Sequence, residues 1–224
     1  MTLQTILFDL DGTLLDSAPG LMTSTNTALA RCGCPPRSLA QITAAMGNGM
    51  ADLIARSLPG GAEDPRFAAC FDAFQEAYQS DMFTGSAPYP GILELLEALG
   101  SRGCRLAVVS NKRDGAVKAL CRQFFGERIA VAIGERPGVS RKPAPDSALT
   151  ALQELGMPAQ TAAYVGDSEV DIATARNAHL PCFSVDWGTR TREVLEAHGA
   201  VSICHTPEEL LRCFEEFKVL CDKK

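Results

Sequence analysis

Residues 5–13 read TILFDLDGT, a short apolar run followed by two aspartates and a glycine. The run at 5–8 is short and rich in β-forming residues, which predicts a buried strand. In open parallel sheets, ligands bind in the crevice outside the carboxyl ends of the strands. This strand therefore brings Asp9 and Asp11 to the place where a ligand site is expected. An Asp-Gly pair is also ordinary turn chemistry, so the two aspartates alone do not establish a site.

The sequence after residue 91 alternates between helical and strand patterns, which is the rhythm of βα units. This alternation predicts a doubly wound α/β fold, with a mostly parallel, Rossmann-like sheet covered by helices on both faces. The first strand joins the same sheet, so we expect one core made of residues 1–15 and 84–224. The predicted strands are 105–109, 129–133, 162–165, 182–185 and 201–203; the predicted helices are 92–102, 113–124, 147–155, 170–178, 192–198 and 207–220.

Residues 16–82 carry a different pattern, in which apolar side chains recur at three- and four-residue spacing and strand signals are missing. Proline and glycine interrupt this pattern at 34–36 and at 58–61. We therefore expect a small, inserted helical unit at residues 16–83. Its predicted helices lie at about 21–29, 42–58 and 67–78.

Composition and charge restrict the function classes. The 224 residues are 46% hydrophobic and 21% charged, as in ordinary globular proteins, and the net charge is −6. This acidity argues against nucleic acid as a partner, which requires clustered Lys and Arg. The N-terminus lacks the pattern of a signal peptide and no apolar stretch is long enough to span a membrane, so we expect a cytoplasmic protein without a membrane partner. The nine cysteines are odd in number and irregularly spaced, which favours thiols over disulfides.

Polar residues stand where several predicted strands end or in loops that lead to the same edge of the sheet. If these groups converge, several carboxylates crowd together, and like charges at close range raise pKa values and oppose folding. A hard cation relieves this repulsion, and oxygen ligands without His or Cys favour Mg²⁺. The groups concerned are Asp9 with Asp11, Ser110 with Asn111, Lys142, and Asp167 with Asp171.

These residue types suit phosphoryl transfer. An aspartate can attack phosphorus, while a second carboxylate protonates the leaving alcohol and later deprotonates water; Asp9 and Asp11 can divide these tasks. Ser110 follows an apolar strand, from which its hydroxyl can bind phosphoryl oxygens, and Ser110 or Asn111 can also cap the following helix. Lys142 precedes a proline, which predicts an extended backbone; its ammonium would neutralise phosphate or hold Asp9.

With these groups in this order, the chain resembles the phosphatases of the haloacid dehalogenase superfamily. Four segments carry the resemblance, at residues 9–14, 110–112, 141–143 and 166–171. The resemblance implies that Asp9 is the nucleophile and a Mg²⁺ ligand, and that Asp11 is the general acid/base and binds Mg²⁺ through its backbone carbonyl. It also implies that Asp167 is a metal ligand, and it leaves open whether Asp171 ligates the metal or supports the site.

A narrower similarity, to phosphoglycolate phosphatases, rests on residues 87–91, 95–99, 110–112 and 46–49. It implies that the inserted unit is a cap that closes over the crevice and excludes water. It also implies substrate contacts from Asn48, Ser110, Asn111 and Lys142. The expected partner is a small phosphorylated metabolite, with 2-phosphoglycolate as the best single choice, and the oligomeric state, monomer or homodimer, stays open.

Other functions share parts of this pattern. A phosphomutase of the β-phosphoglucomutase type and a pyrophosphatase would use the same two aspartates. A receiver-like phosphorylation switch also combines aspartate, Mg²⁺, a hydroxyl and lysine, but receivers are shorter and lack an inserted unit. Asp11 argues against a dehalogenase, and the absence of lysine from residues 16–82 argues against a phosphonate hydrolase.

Overall fold

The computed structural model describes residues 3–221 and divides the chain into two compact units. One unit contains the residues up to Leu15 and those from Pro88 onward, and the other spans Asp16–Ala87. The sequence placed the second boundary after residue 83. The structure places it four residues later, because the Gly20 N–H donates a 3.1 Å hydrogen bond to the carbonyl of Gly85 and so ties this segment to the helical unit.

The α/β unit contains a six-stranded sheet whose order is β5-β4-β1-β6-β7-β8, with parallel pairing. Two-residue strands, β2 and β3, lie at the points where the chain passes from one unit to the other. The prediction of a doubly wound, parallel α/β fold is confirmed. The strands are β1 (Thr5–Phe8), β2 (Leu15–Asp16), β3 (Ala87–Pro88), β4 (Arg105–Arg113), β5 (Val131–Glu135), β6 (Ala162–Gly166), β7 (Cys182–Val185) and β8 (Ile203–Cys204).

Helices fall in both units. The helical unit contains α1 (Ala18–Arg31), α2 (Leu39–Ala45), α3 (Met50–Ser57) and α4 (Phe67–Ser80). The α/β unit contains α5 (Ile92–Ser101), α6 (Asp114–Phe125), α7 (Asp146–Leu155), α8 (Glu169–Asn177), α9 (Arg192–Ala197) and α10 (Pro207–Cys221). Single 3₁₀ turns occur at Gly61–Glu63, Gly126–Arg128 and Ala159–Thr161. Among the helices of residues 3–221, none is long and apolar enough to cross a membrane.

Two hydrophobic clusters cover the two faces of the sheet. Successive side chains of a strand point to opposite faces, so Ile6 and Phe8 join one cluster and Leu7 joins the other. Strand β4 alternates in the same way. Helices α5, α6 and α10 pack on the first face, and α7 and α8 on the second. Strand β1 is therefore buried on both sides, which fixes the direction in which its carboxyl end points.

The main difference from the prediction in the helical unit is that one predicted helix is two helices in the structure. Residues 42–58 were predicted as one helix, but the structure has α2 and α3 with a break at 46–49. Gly47 (φ 109°) and Gly49 (φ 84°) adopt positive φ values that a right-handed helix cannot continue. The glycines on both sides of Asn48 therefore separate α2 from α3.

Strand positions also shift. The strand predicted at 201–203 is wrong at its first two residues, because Val201 is 98% exposed and the strand begins at Ile203. The strand predicted at 129–133 begins two residues later, after the 3₁₀ turn Gly126–Arg128. Strand β4 continues four residues beyond its predicted end at 109, with an irregular register. That extension lies at the candidate site.

Candidate active site

Three buried carboxylates meet at the carboxyl ends of β1 and β6. One oxygen from each of Asp9, Asp167 and Asp171 lies within 4.8 Å of the others. The three residues are 7%, 1% and 0% exposed. Asp9 directly follows β1, Asp167 directly follows β6, and Asp171 lies in the first turn of α8. Neighbouring parallel strands therefore bring these groups together.

Lys142 places a positive charge inside this cluster. Its Nζ lies 2.7 Å from Oδ1 of Asp9 and 2.7 Å from Oδ1 of Asp171, and it donates a 3.3 Å hydrogen bond to the hydroxyl of Tyr164. Burial lowers the pKa of Lys142, but the carboxylates of Asp171 and Asp9 outweigh burial and hold that pKa well above its usual range. Lys142 was predicted either to neutralise phosphate or to hold Asp9, and the structure contains the contact with Asp9.

Asn111 holds the backbone of Lys142. Its Oδ1 accepts a 2.8 Å hydrogen bond from the Lys142 N–H, and its Nδ2 donates a 3.1 Å bond to the Lys142 carbonyl. The amide of Asn111 thus fixes the loop that carries the lysine. The predicted substrate contacts of Asn111 and of Asn48, a half-buried residue of the helical unit, stay predictions.

Ser110 lies in the irregular end of β4, where its Oγ accepts a 3.2 Å hydrogen bond from the Lys112 N–H. The prediction that Ser110 or Asn111 caps the next helix is wrong, because β4 runs on through Arg113 and Arg113 itself precedes the first residue of α6. Ser110 is 5% exposed. Its contact with a phosphoryl group stays a prediction.

Asp11 lies in a tight turn directly after β1. The N–H groups of Leu14 and Leu15 donate to the carbonyl of Leu10 at 3.0 and 2.9 Å, which fixes the backbone of this turn. The Asp11 carboxylate lies 2.6 Å from Nζ of Lys112. Lys112 belongs to the segment 110–112 that carries the family resemblance, but no role was predicted for it.

Asp167 is held by hydroxyl and amide donors from two loops. Thr13 donates to Oδ1 at 3.0 Å, and Thr189 donates to Oδ2 through its N–H at 2.8 Å and its hydroxyl at 2.5 Å. Burial, together with Asp171, raises the pKa of Asp167 to about 6, although these donors oppose the rise. Neither threonine was predicted, and no local pattern marks Thr189, which lies in the loop after β7.

The loop after β7 fits closely against both aspartate loops. A Cβ on Gly188 would lie 2.2 Å from the carbonyl oxygen of Gly12 and 2.5 Å from Cβ of Asp167. The indole N–H of Trp187 donates a 3.0 Å hydrogen bond to the carbonyl of Thr13. Only glycine fits at position 188, and it allows the loop after β7 to lie against the loops that follow β1 and β6. The spacing between those two loops is thereby fixed.

The carboxylate of Asp171 is already fully engaged. Oδ1 accepts from Lys142 and, at 3.2 Å, from the hydroxyl of Tyr164. Oδ2 accepts from the N–H of Ser168 at 3.2 Å and from its hydroxyl at 2.5 Å. A carboxylate offers about four acceptor positions, and these donors use them. Of the two roles that the sequence left open, this arrangement favours support over ligation.

The remaining carboxylates suit a hard cation. Burial raises the pKa of Asp9 well above its usual range, and Asp171 and Asp167 raise it further, whereas Lys142 lowers it. A cation near Asp9 and Asp167 would favour their ionised forms. The donor atoms are all oxygens, which Mg²⁺ prefers. The residues present therefore fit Mg²⁺, with Asp9 and Asp167 as carboxylate ligands and the backbone carbonyl of Asp11 as the predicted third.

We expect the metal-free protein to lose stability as the pH rises from 5 to 7.5. The folded-state pKa of Asp167, about 6, lies above the ordinary 3.8. The protonated carboxyl therefore makes its full contribution to folding stability below pH 4, and that contribution is lost as the pH rises through 6. The full difference between the two pKa values corresponds to about 3 kcal/mol, and the interval from pH 5 to pH 7.5 covers about one pKa unit of it, or about 1.4 kcal/mol. Urea unfolding in EDTA at both pH values measures this loss, and Mg²⁺ should restore stability at pH 7.5. Asp167→Asn is the control; an equally steep loss in that variant would contradict the assignment to Asp167.

Comparison with known proteins gives a consistent set of similarities. Residues 6–185 match a family model described as haloacid dehalogenase-like hydrolase. The chain is 35% identical over 206 residues to a phosphoglycolate phosphatase of Rhodospirillum rubrum, with 88% of this chain and 85% of that protein covered. It is 38% identical over 216 residues to a phosphoglycolate phosphatase of Cereibacter sphaeroides, with 92% and 97% covered.

A solved structure shares the whole fold. A predicted phosphoglycolate phosphatase from Haemophilus somnus is 26% identical and superposes with a TM-score of 0.87. The superposition covers 95% of this chain and 98% of that one.

Proposed function

Because this chain belongs to the haloacid dehalogenase-like hydrolase family, we propose that it is a Mg²⁺-dependent phosphatase that forms an aspartyl-phosphate on Asp9. One observation carries the proposal. The Asp9 carboxylate lies at the carboxyl end of the central strand β1, 2.7 Å from the Lys142 ammonium and next to Asp167. Asp11, two residues further on, supplies a second carboxylate in the same turn.

The reaction proceeds in two displacements. In the first, an Asp9 oxygen attacks phosphorus, the bond from phosphorus to the alcohol oxygen breaks, and Asp11 gives that oxygen a proton. In the second, Asp11 takes a proton from water, the water oxygen attacks phosphorus, and the bond to Asp9 breaks to release inorganic phosphate. Lys142 favours the ionised, attacking form of Asp9, and the Ser110 hydroxyl donates to a phosphoryl oxygen. Mg²⁺, when bound, neutralises charge on the phosphoryl group.

We take 2-phosphoglycolate as the substrate. The relatives from Rhodospirillum rubrum and Cereibacter sphaeroides carry the name of phosphoglycolate phosphatase, and both matches cover most of each chain. In this assignment the helical unit Asp16–Ala87 acts as a cap, and Asn48 contacts the substrate. We assign the protein to the cytoplasm, as the sequence predicts.

A substrate panel tests the proposal. We expect the highest kcat/KM with 2-phosphoglycolate, lower values with pyrophosphate and β-glucose 1-phosphate, and loss of activity in EDTA that Mg²⁺ restores. Hydrolysis that persists in EDTA would contradict the metal dependence. Conversion of β-glucose 1-phosphate to glucose 6-phosphate, without phosphate release from any substrate, would identify a phosphomutase instead.

Replacing Thr189 with Val is expected to weaken Mg²⁺ binding by about tenfold, the usual effect of removing a partner that orients a metal ligand. The variant loses the hydroxyl that donates to Oδ2 of Asp167 at 2.5 Å but keeps the backbone N–H that donates to the same oxygen. Calorimetric titration with Mg²⁺ measures the change in Kd. Thr189→Ser keeps the hydroxyl and is the matched control. An unchanged Kd in the valine variant would show that the hydroxyl does not orient Asp167.

A further inference from the structure

We propose that Lys112 is a positioning residue that aims the Asp11 carboxylate at the oxygen of the leaving alcohol. The inference deepens the proposed function, because it rests on Asp11 as the acid/base of that reaction. It assigns a role to a buried charge that the two displacements do not otherwise use.

Lys112 owes its place to a bulge in β4. Val109 pairs with Ile133 and Arg113 pairs with Glu135, so residues 110–112 lie opposite a single residue of β5. That residue is Gly134, and a Cβ there would lie 2.6 Å from the carbonyl oxygen of Lys112. The glycine therefore makes room for the bulge.

The bulge buries the lysine against Asp11. The side chain of Lys112 is 3% exposed and that of Asp11 is 17% exposed, and their charged atoms lie 2.6 Å apart. A buried ammonium is costly unless a counter-charge pairs with it, so the two side chains stabilise each other's position. The direction of the Asp11 carboxylate is thereby linked to β4, the strand that also carries Ser110.

The three carboxylates that the proposed reaction uses, those of Asp9, Asp11 and Asp167, are oriented by different side chains. Lys142 contacts Asp9, and Thr13 and Thr189 contact Asp167. For Asp11, turn hydrogen bonds fix the backbone, and the ion pair with Lys112 orients the side chain. A general acid must come within hydrogen-bond reach of the oxygen that it protonates, so a small misplacement slows proton transfer selectively.

The test compares two small substrates that differ in their need for a proton. The glycolate released from 2-phosphoglycolate leaves as an alkoxide that must be protonated, whereas the acetate released from acetyl phosphate is a carboxylate that needs no proton. We expect Lys112→Met to lower kcat/KM for 2-phosphoglycolate by about 10²-fold, the size of a general-acid contribution, and to change kcat/KM for acetyl phosphate little. For each substrate, kcat/KM reports only the steps up to and including the first displacement. A general loss of structure would lower both values together.

Lys118→Met is the matched control, because Lys118 forms an ion pair of the same 2.6 Å length with Asp114 and its side chain is 49% exposed. Lys118→Met should leave kcat/KM unchanged for both substrates. Lys112→Arg keeps the charge and should recover part of the activity on 2-phosphoglycolate. If Lys112→Met does not fold, Lys112→Arg should still show a smaller loss that is confined to 2-phosphoglycolate.

Asp11→Asn separates failure of this inference from failure of the proposed function. It should show the same selectivity between the substrates, and adding Lys112→Met to it should cause little further loss, because both changes remove one proton transfer. Equal losses on both substrates in Lys112→Met, or fully additive losses in the double variant, would overturn the positioning role. An Asp11→Asn variant without selectivity would instead overturn the assignment of Asp11 as acid.

Discussion

Asp9→Asn is expected to lower phosphate release by on the order of 10⁴-fold or more, because the amide that replaces the carboxylate cannot attack phosphorus. The fold should survive, since burial already disfavours the charged form of Asp9 and the amide has nearly the same shape. Lys142 keeps its 2.7 Å contact with Asp171 as a counter-charge. The thermal unfolding temperature should therefore stay close to that of the unmodified protein.

Acid quenching with ³²P-labelled substrate gives a second measurement for this variant. The unmodified protein should carry label that hydroxylamine removes, as expected for an acyl phosphate, and Asp9→Asn should carry none. Asp72→Asn, at an exposed position of α4, is the control and should behave like the unmodified protein. Full turnover or labelled protein in Asp9→Asn would disprove the nucleophile assignment.

Lys142→Met is expected to lower both stability and activity. Its removal leaves Asp9 and Asp171 without the ammonium that lies 2.7 Å from each, and breaking such a buried pair costs about 3–5 kcal/mol. We also expect kcat to fall by roughly 10²–10³-fold, because a fixed positive charge at the phosphoryl site is lost. Urea unfolding and steady-state kinetics measure the two effects.

The stability loss of Lys142→Met should grow with pH. Without the ammonium, the folded-state pKa of Asp9 rises further above its unfolded value, so stability is retained at low pH and lost as the pH rises. Measurements in EDTA at pH 5 and pH 8 test this direction. Lys118→Met, which breaks an exposed pair, should cost less than about 1 kcal/mol at either pH. Adding Asp171→Asn should recover part of the loss at pH 8; no recovery would argue against repulsion between the carboxylates as the cause.

Much of the α/β unit could be predicted because its signals are local. The apolar run at 5–8 and the aspartates that follow it are adjacent in sequence, and the parallel order of the strands brings Asp167 to the same edge. The rule that ligand sites form at the carboxyl ends of parallel strands was enough to predict that Asp9, Asp167 and Lys142 lie close together. The resemblance to the haloacid dehalogenase superfamily is confirmed by the match over residues 6–185.

Apart from the contact of Lys142 with Asp9, the contacts that orient the carboxylates could not be predicted, because they depend on residues far apart in the chain. Thr189 donates to Asp167 across 22 positions, from a loop with no motif of its own. The pair of Lys112 with Asp11 depends on a bulge that Gly134, on a neighbouring strand, permits. The strand was expected to end at residue 109, and that expectation placed Lys112 in a loop.

The central position of β1 has a consequence for synthesis of the chain. Thr5 pairs with Arg105 on one side and with Ala162 on the other, so the first strand made must wait for partners that emerge about one hundred residues or more later. Contacts of such long sequence separation form slowly and late in folding. The helical unit, whose helices are close in sequence, can form on the ribosome first. Asp9 therefore gains its charged neighbours only when most of the protein has been translated, and a chain truncated before β6 is expected to be inactive.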